Sequence, residues 1–306
     1  MISVLILTKN EEQDLPRCLE SVRWSDDVHV YDSYSTDGTL EIAEAAGARV
    51  TQREFDDWSS HQNWGLANIP FRDPWVLYVD ADERVTPELA ASIRRAVENP
   101  GNKVAFRIRR RDFWGESWLK HVQASSYYMR LFRPEKMRYE RLVNPVSIVD
   151  GPVSELEGYL DHHPFSKGMS HWVNRHNAYS SLEAQQILLN RENNQQFSAI
   201  QAFMAKDRNQ RRFHQKELFY RLPARPLIKF LLLYLGKRGF LDGRAGLDYA
   251  ILQSFYESMI VLKTKELTGK SAAFDRAKEA RSEIPSQASP SGGIPEGSHA
   301  HSGSND

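Results

Sequence analysis

The stretch VLYVDADERVTPEL, residues 76–89, runs four strand-forming residues (Val76, Leu77, Tyr78, Val79) straight into Asp80, Ala81, Asp82 and Glu83. A continuous apolar run of this kind suits a strand buried on both faces. Three carboxylates within four positions repel one another, and a strand end is a costly place to desolvate them. A bound divalent cation, which takes oxygen ligands, would resolve the conflict; a solvated acidic turn before a helix is the plainer alternative. Thr86 and Pro87 then supply an N-cap and a first-turn proline for a helix over PELAASIRRAVEN.

Upstream the same alternation repeats. ISVLIL (2–7) reads as a buried strand, and EEQDLPRCLESVRW (11–24) places Leu15, Cys18, Leu19 and Val22 at helical spacing. DVHVYD (27–32) predicts a strand, DGTLEIAEAAGA (37–48) a helix closing at Gly47, ARVTQ (48–52) a short strand, and residues 59–67 a helix. Strands and helices alternating through short connections predict an α/β fold, a Rossmann-like, mainly parallel sheet with helices on both faces. Between 103 and 150 the pattern turns to strands (VAFRIRR, SYYMRLFR, VSIVDG), and beyond HHPF (162–165) it is helical to about 268. Residues 269–306, rich in Ser, Gly, Pro and charge, predict a disordered tail. The expected divisions are therefore 1–160, with halves 1–100 and 101–160, then 161–268 and 269–306.

Bulk properties narrow the function. The 306 residues, 41% of them hydrophobic, can bury a sizeable core. Forty basic and forty acidic residues cancel, which argues against a nucleic-acid partner. The lone Cys18 excludes a disulfide framework or a cysteine metal cluster and fits a reducing compartment. Met1 leads directly into a strand pattern without a secretory signal, and FLLLYL (230–235) is too short to span a bilayer, so a cytoplasmic chain is expected. Residues 201–245 carry eleven Lys or Arg against three acidic residues, a local net charge of +8, around PLIKFLLLYLGKRGF. One reading is an interfacial helix on the inner face of the cytoplasmic membrane; the other is a basic helical hairpin packed on the first domain.

In open α/β sheets, ligands lie beyond the carboxyl ends of the strands. Those ends here read Thr8-Lys9-Asn10-Glu11, Asp32-Ser33-Tyr34-Ser35-Thr36-Asp37-Gly38-Thr39 and Asp80-Ala81-Asp82. Taken singly, each is a turn or a helix cap. Together they converge on one edge of the predicted sheet.

With LTKNEEQDLPRCLESV, YDSYSTDGT and VLYVDADERVTPEL in this order, the chain resembles the inverting family 2 glycosyltransferases of GT-A fold. The branch of bacterial lipopolysaccharide-core and exopolysaccharide enzymes is the most similar. The resemblance is strong over residues 1–100 and weaker through RLFR, VDGP, HHPFSKGMSHWVNRHNAYSSLEA and GFLDGRAG. It implies that 1–100 binds a sugar-nucleotide donor and 101–160 shapes the acceptor side. Thr8, Asn10 and Glu11 would line the nucleoside end, with Asp32 at the base or ribose. Ser33 stands where many relatives carry a second acidic residue, and Asp37 closes that motif. Gln62 and Asn63 would close the donor pocket or cap a helix. Arg130 and Arg133 would meet the diphosphate or lie on a solvated strand face. Asp80 and Asp82, with His162 as a third position, would hold Mg2+ or Mn2+, Asp82 being the direct ligand. The general base is open, because Val143-Asn144-Pro145 stands where relatives place a Glu; Glu140 and Asp150 are the substitutes. The implied reaction moves a hexose, UDP-linked by expectation, to a lipid-linked glycan with inversion. A non-catalytic sugar-nucleotide or glycan-binding protein and a nucleotidyltransferase are the alternatives.

Overall fold

The computed structural model describes residues 1–123, 125–140, 146–192, 197–205 and 208–282. The N-terminal half alternates β1 (Ser3–Thr8), α1 (Leu15–Val22), β2 (Val28–Asp32), α2 (Thr39–Ala45), β3 (Arg49–Gln52), α3 (Trp58–Asn68), β4 (Val76–Asp80), β5 (Glu83–Val85) and α4 (Pro87–Glu98). The helix expected over 11–24 begins only at Leu15. Pro16 has no N–H to give and is accommodated in the first helical turn. Asp57 caps α3 by accepting from the amides of Ser59 and Ser60, and Thr86 caps α4 by accepting from Leu89 N–H at 3.3 Å.

The remaining strands are β6 (Ala105–Trp114), β7 (Ser117–Trp118), β8 (Tyr127–Phe132), β9 (Met137–Glu140), β10 (Val146–Val149) and β11 (Val153–His162). The main sheet runs β3-β2-β1-β4-β8-β6-β11-β5. Its first four strands are parallel, as expected. β8 then enters antiparallel between β4 and β6, while β6 and β11 are again parallel and β5 closes the edge antiparallel. β9 and β10 form a separate antiparallel pair.

Successive residues of β1 and β4 face opposite layers, and both layers are covered. Val4, Ile6, Leu77 and Val79 pack with Leu15, Cys18 and Val22 of α1 and with Leu89 and Ile93 of α4. Leu5, Val76 and Tyr78 pack on the other side with Tyr31, Phe132, Met137 and Tyr139. Each such aliphatic side chain contributes about 1.5–3 kcal/mol on burial. β11 carries a bulge between Glu155 and Tyr159, where Gly158 adopts φ 94° and a Cβ would come within 2.7 Å of the Leu89 backbone. Glycine there lets β11 lie against α4 while its last residues stay in register beside β5 and β6.

The C-terminal part comprises α5 (Gly168–Glu192), α6 (Gln201–Met204), α7 (Arg208–Arg221), α8 (Arg225–Leu231), a π-helical turn over Leu232–Gly236 and α9 (Gly243–Ser282). It is tied to the sheet by Asp242, which accepts from the amides of His121 and Val122, and by a core of Leu119, Val122, Leu233, Ala245 and Ala250. α9 continues to Ser282, so the expected disordered tail from 269 is corrected for its first part. Its sequence, GKSAAFDRAKEARS, is rich in strong helix formers. Residues 283–306 of that expectation lie outside the described residues.

Candidate active site

Register brings the three polar clusters together. Thr8 pairs with Asp32, and Leu7 pairs with Asp80, so the ends of β1, β2 and β4 are level. β1 lies between β2 and β4, where the strand order reverses, the position at which open α/β sheets take their ligands.

The loops after β1 and β2 are laced to each other. Asp32 is fully buried and accepts from Thr8 Oγ1 (2.8 Å), Ser35 N–H (2.8 Å) and Gln52 Nε2 (3.1 Å). Burial pushes the Asp32 carboxyl up, but the hydrogen bonds led by Ser35 outweigh it and hold it below the usual range. Asp32 thus builds the loop from within. Asn10 takes a left-handed φ of 56°, donates its N–H to Ser35 Oγ and accepts from Thr36 N–H through Oδ1 at 2.8 Å. Asp37 accepts from the amides of Thr39 and Glu12, and the Ser33 hydroxyl lies 3.4 Å from His61 Nε2. Glu11 sets one carboxylate oxygen 2.6 Å from Lys167 Nζ, while its other oxygen is buried and unpartnered among the described residues. Burial outweighs the Lys167 charge and raises the Glu11 carboxyl to about 7.

The acidic turn is held by the protein's own cations. Glu83 is fully buried; one oxygen accepts from Asp80 N–H (3.0 Å), the other from Arg130 Nη2 (2.8 Å). The same guanidinium nitrogen donates to Asp80 Oδ2 at 2.5 Å, and the guanidinium group lies over the Tyr78 ring. Burial pushes the Glu83 carboxyl up, against the pull of Arg130. Asp82 faces His162, with Oδ2 3.2 Å from Nε2. The other ring nitrogen, Nδ1, lies 2.5 Å from Asp112 Oδ1, and Arg110 Nε lies 3.2 Å from that same oxygen. Burial lowers the His162 imidazole, but Asp82 and Asp112 push it up to about 9; the charge on His162 in turn holds Asp82 low against its burial.

Several residues expected to meet the donor or the ion make other contacts in this structure. Arg130 is buried and committed to Asp80 and Glu83 rather than turned toward a diphosphate, and Arg133 lies over the Trp75 ring. Gln62 donates to the Tyr78 hydroxyl, and Asn63 exchanges two 2.8 Å hydrogen bonds with the Tyr139 backbone, fastening α3 to β9. Asp80, Asp82 and His162 do not form one ready ligand set. Among the described residues no three His, Cys, Asp or Glu side chains converge to hold a metal, and Asp80 pairs with Arg130.

The two candidate bases separate. Val153 pairs with Ala105, Ala105 with Phe132, and Phe132 with Val76, so β11 starts level with the start of β4. Asp150, just before β11, sits at the amino end of the parallel strands beside Lys136, whereas Asp80 is about 13 Å further along β4. Glu140 closes the opposite end of the β9–β10 pair, next to Tyr139, which packs in the same layer as Tyr78. It is exposed and lies 3.2 Å from Arg138. Val143, Asn144 and Pro145 lie outside the described residues.

Arg110, Asp112 and Lys167 were not singled out by sequence, and Glu83 only as a member of the acidic turn. The signal available was strand alternation, which puts Arg110 and Asp112 on one face of β6, with Asp112 paired to His162 and His162 to Glu83.

Residues 3–151 match the profile of the family described as Glycosyl transferase family 2. An uncharacterized glycosyltransferase of Rickettsia typhi is 26% identical over 284 residues, 88% of each chain. The lipopolysaccharide core biosynthesis glycosyltransferase LpsC of Rhizobium meliloti is 25% identical over 82% of this chain and 89% of its own. Among solved structures, S. aureus TarS 1–349 is 17% identical over 84% of this chain and 91% of that chain, with a TM-score of 0.38, a likeness too slight to bear on the site.

Proposed function

The N-terminal half of this chain, residues 3–151, is a glycosyl transferase family 2 domain, and on that premise we propose an inverting hexosyltransferase that uses a UDP-linked donor and a lipid-linked envelope glycan as acceptor. The observation that carries the reading is the Asp82–His162–Asp112 chain at the strand-order reversal, beside the laced loops of Thr8–Glu11 and Asp32–Asp37.

The donor set fits Mn2+ or Mg2+. Metal-bound histidines present one nitrogen to the ion and give the other to a carboxylate, the arrangement of Asp82, His162 and Asp112. One or two protein ligands suffice where substrate phosphates complete the shell. When bound, the ion would offset charge on the departing nucleoside diphosphate. Asp82 and His162 would hold it, Asp112 would fix the imidazole, and Arg130 would hold the Asp80 and Glu83 carboxylates in place beneath. The rigid loops carrying Asn10, Glu11, Ser33 and Asp37 would seat the nucleoside. Glu140, on the site side of its hairpin, would take the proton of the acceptor hydroxyl.

An envelope acceptor is supported by the relative named for lipopolysaccharide core biosynthesis and by an apolar face on the C-terminal helices. Leu227, Leu231 and Leu235 recur along α8 and the turn that follows, and with Leu232, Phe240 and Leu241 they are exposed. Lys229, Lys237 and Arg238 flank them, a combination that suits an anionic bilayer surface at the cytoplasmic face. No helix of the described residues is long and apolar enough to cross a membrane. The stereochemistry of the product tests the reading: a β-linkage from an α-linked UDP-hexose is expected, and retention would exclude single displacement.

A further inference from the structure

Beside β5 the structure holds a cavity of about 350 Å3 whose wall includes two guanidinium groups, Arg17 of α1 and Arg84 of β5. A space of this size accommodates a small ligand such as a monosaccharide. Arg17 makes no hydrogen bond or ion pair among the described residues. Arg84 comes no closer to a carboxylate than 3.8 Å, at Asp14, and its buried Nε has no partner among the described residues. Asp14, which lines the cavity together with Glu116, accepts from the Ser166 hydroxyl through Oδ2 at 2.6 Å, and its Oδ1 is the oxygen 3.8 Å from Arg84. Two under-partnered guanidinium groups facing one cavity repel each other until an oxyanion joins them, and their planar donors match carboxylate and phosphate oxygens.

The remaining wall suits a sugar ring. Phe113 and Phe165 supply apolar faces, and His163 stacks on Phe113 with centroids 5.1 Å apart. The cavity also shares a wall with the proposed donor site: His163 N–H donates to the Asp82 carbonyl at 2.9 Å, and Lys167, one residue beyond Ser166, reaches Glu11.

We infer that this cavity is an acceptor subsite for a sugar bearing a carboxylate or phosphate, with the anion held by Arg17 and Arg84. The inference rests on the glycosyltransferase reading for the word acceptor, but its test needs neither metal nor turnover. Binding of glucose 6-phosphate, glucuronate and glucose to the full chain would be followed by ligand-observed NMR, the first two separating phosphate from carboxylate. At least one anionic sugar should bind, glucose should bind roughly tenfold or more weakly, and Arg84→Gln and Arg17→Gln should each weaken the anionic sugar by a similar factor. Arg17 is exposed, so Arg17→Gln carries the test if Arg84→Gln does not fold. UDP with Mn2+ should bind both variants as it binds the wild type and should not displace the anionic sugar. Equal binding of glucose, indifference of the anionic sugar to Arg17→Gln, or its displacement by UDP would each overturn the inference. Failure of the glycosyltransferase reading would appear separately, as absent binding of UDP.

Discussion

A carboxylate buried as completely as Glu83 needs a cation within hydrogen-bond reach, and Arg130 supplies it while also taking Asp80. The sequence shows the crowding of Asp80, Asp82 and Glu83 but not this partner, which comes from a strand fifty residues away. Removing it separates a structural role from a diphosphate contact. Arg130→Met should destabilise the fold by about 3–5 kcal/mol in urea, the cost of an uncompensated buried charge. A stable variant with only a raised donor KM would restore the role first expected of Arg130. Glu11 gives a pH signature. Its carboxyl is raised from 4.5 to about 7 in the folded state, so its contribution to stability is present below about pH 4.5 and lost as pH rises through 7. Glu11→Gln should therefore gain stability relative to wild type between pH 5 and pH 8. A difference that does not change with pH would contradict the burial argument.

Among the elements, β1 through α4 were legible because both periods are clean there: continuous apolar strands alternate with helices whose buried positions, Leu15, Cys18, Leu19 and Val22, fall at helical spacing. The insertion of β8 between β4 and β6, and the pairing of β11 with β6, were not legible. Those choices are made by long-range register, including the Gly158 bulge, and not by local propensity. Register also separates the candidate bases, which sequence left open, and our proposal takes Glu140. Glu140→Gln should lower kcat by about a hundredfold or more, the scale of a lost general base, while Asp150→Asn should leave it within a few-fold. The reverse pattern under saturating substrates would displace Glu140 from the mechanism.

For the whole molecule, the helical half divides the apolar residues of PLIKFLLLYLGKRGF between solvent and core. Leu227, Leu231 and Leu232 are exposed, whereas Phe230 of the same run is partly buried against the core of Leu119, Val122 and Leu233. Spacing within a six-residue apolar run cannot show which side meets the sheet domain. Leu231→Glu with Leu235→Glu should release the protein from anionic liposomes without unfolding it, and wild-type binding should weaken with salt, each basic residue near the surface being worth about 1 kcal/mol. Equal affinity for neutral and anionic liposomes would leave these helices as packing alone. The proposed function turns on one placement, that of Asp82 opposite His162 beyond the end of β4. Its most direct test is calorimetric titration of UDP with and without Mn2+ into wild type and Asp82→Ala, with circular dichroism as the fold control. Mn2+ should strengthen UDP binding to the wild type and make no difference to the folded variant. The same Mn2+-dependent gain in Asp82→Ala would contradict the account.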